Sequence, residues 1–125
     1  MFTVDNQSRQ PVYEQIITQV ERFIMIGLLN EGEQLPSVRN ISIQLSVNPN
    51  TVQKAFAELF RRGIIISIPG RGSFIANNAK ELLTQYKMKE LSKINELAHE
   101  LYLAGIDKQS VINEIKKAYK EEDKK

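Results

Sequence analysis

Residues 35–75 read LPSVRNISIQLSVNPNTVQKAFAELFRRGIIISIPGRGSFI, and this stretch decides the fold. Its sharpest signal is Asn48-Pro49. Asparagine accepts from the free amides of a helix's first turn, and proline lacks only an N–H that the first helical position leaves unpaired anyway. A helix is therefore predicted from Pro49 to about Arg62, closed by Gly63. At about 100° per residue, Val52, Ala55, Phe56, Leu59 and Phe60 share its inner face. Asn50, Lys54, Ala57 and Arg61 share the outer face, flanked by Gln53. Before it, Ser37 is placed to cap a shorter helix on which Val38, Ile41 and Leu45 face inward. Ser46-Val47 make the turn, with Val47 plugging the core between the helices. After it, residues 64–68 are β-branched and brief, Pro69-Gly70-Arg71-Gly72 is a tight turn, and residues 73–75 pair back. Helix, turn, longer helix and hairpin in that order spell a helix-turn-helix with a β wing, a shape suited to a DNA groove.

The flanks read as support and tail. Residues 1–10 are polar except Phe2 and Val4, a short strand or an anchor. After Pro11, Tyr13, Ile16, Ile17, Val20, Phe23 and Ile24 recur at helical spacing up to Gly27. Tyr13 is expected between that helix and the core, its hydroxyl on backbone. NEGEQ, residues 30–34, is a polar connector. From Asn78 a long helix is predicted, with Leu83, Tyr86, Ile94, Leu97, Ala98, Leu101 and Ala104 on one face, interrupted by Lys87 and Glu90 and ended by Gly105. Asp107 caps a last helix bearing Val111, Ile112, Ile115, Ala118 and Tyr119, and KEEDKK is a charged, fraying end. The expected architecture is mainly α with a small β wing: a winged helix-turn-helix domain over residues 1–77 and a two-helix dimerisation tail over residues 78–125. So short a helix pair has little core of its own and is expected to pair with a second chain, through Leu83, Tyr86, Ile94, Leu97, Leu101, Ile112, Ile115 and Tyr119.

Composition narrows the chemistry. The chain has 125 residues, no cysteine and one histidine, His99, which falls off the apolar stripe and is expected to be solvated. Thiolate and histidine-rich metal sites are excluded, and no metal or cofactor is expected. No carboxylate pair sits in an apolar setting, and GRGS is not followed by the helix that a Rossmann or P-loop site requires, so an enzyme is not expected. No run approaches a membrane span and the N-terminus lacks a signal-peptide core, so the expected location is cytoplasmic. Net charge is only +2, but its distribution is uneven. Residues 1–33 carry Arg9 and Arg22 against Asp5, Glu14, Glu21, Glu31 and Glu33. Residues 34–78 carry Arg39, Lys54, Arg61, Arg62 and Arg71 against Glu58 alone. The cations collect on the helix-turn-helix stretch, where a polyanion would dock.

The runs PVYEQI, GLLNEGEQLPS, LPSVR, SVNPNTV, LFRRGII and GRGSFI together resemble the GntR family of bacterial transcription regulators, over about residues 11–75. The short helical tail is similar to that of the YtrA subfamily. The resemblance implies a homodimeric, sequence-specific repressor of an operon, such as one for an ABC-type transporter, bound to an inverted-repeat operator in double-stranded DNA. It implies DNA contact by Arg39, by Asn50, Thr51, Gln53 and Lys54 at the start of the recognition helix, and by Gly70 and Arg71 at the wing tip. Ser37, Asn48 and Gly72 join that candidate set as their neighbours. Pro49 stands where many relatives place a base-reading arginine, which leaves the operator sequence open. Arg61 and Arg62, at the far end of the helix, are expected to complement its dipole. A small-molecule effector between tail and winged domain or between subunits is compatible, but no residue constellation names one. The alternative is a winged helix that binds RNA or protein.

Overall fold

A computed structural model describes residues 1–120, so all of the charged end except Lys120 lies outside the described residues. The elements are α1 (Val12–Met25), α2 (Val38–Leu45), α3 (Pro49–Arg61), β1 (Ile65–Ile68), β2 (Gly72–Ile75), α4 (Ala79–Met88), α5 (Leu91–Leu103) and α6 (Lys108–Tyr119). Two compact units divide between Gln85 and Tyr86, later than the boundary after Asn77 suggested by sequence.

In the first unit the predicted caps set the helix ends. The Ser37 hydroxyl accepts from the Asn40 amide at 3.0 Å, and the Asn48 side chain accepts from the Asn50 amide at 2.8 Å, with Pro49 at the first helical position. Between α2 and α3, Ser46 takes the left-handed conformation (φ 56°) and turns Val47 half-buried against the core. Gly63 (φ 77°) closes α3, and the next amide, of Ile64, donates back to the Leu59 carbonyl. That αL closure is the ordinary way a helix satisfies its last carbonyls.

The core joins Ile16, Val20 and Ile24 of α1 to Ile41 of α2, to Val52, Ala55, Phe56 and Leu59 of α3, and to Ile64, Ile65 and Ile75 of the hairpin. Burial of each large side chain stabilises by about 1.5–3 kcal/mol. Phe2 proves to be an anchor, buried with its ring edge-on to Phe23 at 5.4 Å. Gln15 fastens the arm behind it: its carbonyl accepts from the Asp5 amide at 2.8 Å, and its amide donates to the Asp5 and Gln10 carbonyls.

β1 and β2 pair antiparallel with Ile65 opposite Ile75, Ile66 opposite Phe74, Ser67 opposite Ser73 and Ile68 opposite Gly72. The connector is more than a polar link. Its backbone runs along β2, with Gly32 donating to Ile75, Ile75 to Glu33 and Leu35 to Ser73 at 2.8–2.9 Å. Composition concealed this, because backbone pairing requires no apolar side chains.

Three expectations are corrected. Phe60 does not join the inner face; it stays 37% exposed, its ring edge-on to Phe56 at 6.4 Å. Leu83, grouped with a dimer stripe, is 1% exposed and packs with Ala79 into the core of its own unit, so it has no surface to offer a second chain. The single long helix is two. A turn at Lys89 and Glu90 separates α4 from α5.

In the second unit Gly105 (φ 85°) ends α5, and the extended Asp107 precedes α6 without capping it through its side chain. No residue of α5 or α6 is buried. Leu91, Ile94, Leu97, Leu103, Ile115 and Tyr119 are all exposed.

Candidate nucleic-acid interface

The first unit carries every candidate nucleic-acid contact. On α3, Asn50, Gln53 and Lys54 are exposed and Thr51 is half-buried; Arg39 of α2 and Arg71 between the strands are exposed as well. The side chains of Ser37 and Asn48 cap α2 and α3, so their first role is to aim those helices.

Lys54 is not loose in solvent. Its Nζ lies 4.0 Å from the centroid of the Tyr13 ring on α1, a cation–π contact across the two helices. Tyr13 therefore does something that the sequence did not foretell. No hydrogen bond from its hydroxyl to backbone is found among the described residues, and the Glu14 charge, helped by desolvation, raises its pKa above the ordinary value.

The two arginines at the end of α3 are tied into an ionic network. Glu58 accepts from Arg61 Nη2 at 2.5 Å and from Arg62 Nε at 2.7 Å, while Arg62 Nη1 reaches Glu21 on α1 at 2.8 Å. Hydrogen bonds from Arg61, then Arg62, lower the Glu58 carboxyl to a pKa of about 2. For Arg62, desolvation opposes the charge, but Glu58 and Glu21 more than offset it and its pKa is raised. Arg62 thus clamps α1 to α3, a partnership across 41 residues that sequence spacing did not show. A groove of about 560 Å³ beside this network is lined by Glu14, Glu21 and Glu58 together with Tyr13, Lys54 and Arg62. Arg61 lines it too, so its three carboxylates face three cations, and Glu21 and Glu58 are already held by the arginines.

At the wing, Gly70 (φ 75°) has open space around its Cα, and Arg71 projects next to it with its guanidinium 5.9 Å from the Phe74 ring centroid. Gly72 has an internal reason to be glycine. Its φ is 120°, and a Cβ there would lie 2.7 Å from Gln34 Nε2. That same amide donates to the Arg71 carbonyl at 2.6 Å. Gln34 is the residue missed by sequence reading: it braces the turn that presents Arg71, from a connector whose polarity looked uninformative.

The tail candidates lie in the second unit, Leu83 apart. Tyr86, Ile94, Leu97, Ile115 and Tyr119 are exposed, and Leu101 and Ile112 half-buried. His99 is exposed and stacks on Tyr102 at 6.1 Å. Among the described residues no cluster of histidine, cysteine, aspartate or glutamate is placed to hold a metal ion, and no helix is long and apolar enough to cross a membrane.

Comparison with known proteins gives concordant matches. The family model described as "Bacterial regulatory proteins, gntR family" matches residues 12–75. The HTH-type transcriptional repressor YtrA of Bacillus subtilis (strain 168) is 38% identical over 117 residues, covering 93% of this chain and 90% of that protein. Among solved structures, a transcriptional antiterminator from Listeria monocytogenes EGD-e superposes with a TM-score of 0.74 at 36% identity, covering 98% of this chain and 91% of that one. A structure described as AraR(DBD) in complex with operator ORE1 gives a TM-score of 0.52 at 25% identity, covering 58% of this chain and 89% of that one.

Proposed function

The chain belongs to the GntR family of bacterial regulatory proteins, as a DNA-binding transcription regulator and not an enzyme, and from that premise we propose that it is a homodimeric repressor of the YtrA type that binds an inverted-repeat operator. In this reading α3 of each subunit enters a major groove. Asn50, Gln53 and Lys54 face the base edges, Arg39 contacts the backbone beside them, and Arg71 reaches the neighbouring minor groove. Two recognition helices related by a two-fold axis call for half-sites about 34 Å apart or a multiple of it. Occupying the operator would block a promoter, and the likeness to a YtrA repressor makes a transporter operon the first target to examine. An effector would act by altering the spacing between the two helices.

One observation carries the proposal. The exposed face of α3 is polar and cationic, and Arg39 and Arg71, the exposed arginines of that stretch outside the Glu58 network, lie in the same unit. The AraR domain, of similar fold, is bound to an operator in its own structure. The test is selection of duplexes from a random pool, followed by titration at several salt concentrations. Selected sites should be inverted repeats. Arg39→Ala should weaken binding and reduce the slope of log K against log salt by about 0.9 if Arg39 neutralises one phosphate. An unchanged affinity and slope would remove Arg39 from the interface.

A second reading, a winged helix bound to RNA, draws on the likeness to a chain described as an antiterminator. Competition by single-stranded RNA against the selected duplex separates the two.

A further inference from the structure

A helix in a major groove and a hairpin tip in the adjacent minor groove must straddle the sugar–phosphate ridge between those grooves. The molecule has a cleft in that position, of about 280 Å³, between α3 and the wing. Gln53 and Phe60 line it from α3, and Ser67 and Ser73 from β1 and β2. The two serines are direct cross-strand partners, two residues along from the buried pair Ile65 and Ile75. Side chains two apart on a strand share a face, so both hydroxyls point to the α3 side. There the hairpin outruns the core and its inner face changes from isoleucine to serine. Neither hydroxyl forms a side-chain hydrogen bond among the described residues. No carboxylate lines this cleft, whereas Glu14, Glu21 and Glu58 line the groove on the other flank of α3.

We propose that this cleft seats the DNA strand that separates the two grooves, with Ser67 and Ser73 donating to one phosphate and the half-exposed Phe60 ring packed on a deoxyribose. The proposal rests on the DNA-binding reading and deepens it, by assigning an anchoring subsite to residues outside the recognition helix face and the wing tip. Its chemistry is distinctive. Neutral hydroxyls hold a phosphate without displacing counterions, so they contribute affinity without contributing to the salt slope.

The experiment uses the full chain and a duplex that the wild-type protein has selected from a random pool. The Ser67→Ala/Ser73→Ala double variant should bind that duplex and a scrambled one about ten-fold more weakly each, with the salt slope unchanged. The Ser67→Thr/Ser73→Thr variant, which keeps both hydroxyls, should retain most of the affinity. A single neutral methylphosphonate placed along the duplex should weaken the wild type at the ridge position and leave the alanine variant indifferent there. Unchanged affinity in the alanine variant overturns the proposal. So does an equal loss in alanine and threonine variants, which would report hairpin packing instead. If the wild type shows no salt-dependent binding to any duplex, the DNA-binding reading itself fails, a result distinguishable from failure of the cleft alone.

Discussion

At the scale of single residues, charge in this molecule is sorted by partner. The Tyr13 ring holds Lys54, so in the proposed DNA complex the ammonium would exchange one site for another rather than condense from disorder. Arg61 and Arg62 have the same charge one turn or more away, yet Glu58 and Glu21 hold them. The depressed Glu58 pKa makes this checkable by pH. A carboxyl lowered from 4.5 to about 2 in the folded state favours folding wherever the unfolded group is ionised. That contribution is complete above about pH 5 and fades as pH falls through the interval toward about 2. Glu58→Gln should therefore melt below the wild type near neutral pH, and the gap should narrow in acid. A gap in melting temperature that stays constant from about pH 7 to about pH 3 would mean that the Glu58 charge is not what stabilises the fold.

At the scale of elements, the helices were readable and the wing only partly so. Ser37, Asn48-Pro49 and Gly63 announce helix ends through local chemistry, because a cap is settled within three or four residues of sequence. The inner face of α3 followed from periodicity, except at Phe60. There the decision between core and cleft depends on how far the hairpin extends, which periodicity does not encode. Tyr13 over Lys54, Glu21 on Arg62 and Gln34 under Arg71 are contacts between distant segments, and no local signal carries them. The wing turn shows the consequence. Gly72 stands in the candidate DNA-contact set, but its φ of 120° and the Gln34 amide 2.7 Å from a notional Cβ both disfavour a side chain with no DNA present. Gly72→Ala should destabilise the protein by about 1–3 kcal/mol. Adding Gln34→Ala should recover the steric part of that loss and leave the backbone part. Strictly additive melting-temperature losses in the double variant would show that the Gln34 contact is not what confines Gly72.

At the scale of the whole molecule, the two units differ in how their apolar surface is used. The first has a closed core that α4 completes with Ala79 and Leu83. The second has helices with no buried residue, and Leu91, Ile94, Leu97 and Leu103 of α5 stand exposed with Ile115 and Tyr119 of α6. Helices of twelve or thirteen residues are marginal alone in water and normally draw stability from a packed apolar face. In the proposed dimer a second copy of the same pair would supply such a face, and two-fold pairing would present two α3 helices to an inverted repeat. Ile94 and Leu97 are 51% and 62% exposed within the chain, so replacing them disturbs no core of the monomer. Ile94→Glu/Leu97→Glu should leave the melting of the winged unit unchanged, shift the sedimenting species from dimer to monomer, and cut affinity for a full inverted repeat to that for a single half-site. A wild type that sediments as a monomer at about 50 μM, or a glutamate variant that stays dimeric with full operator affinity, would place the pairing surface elsewhere than on α5.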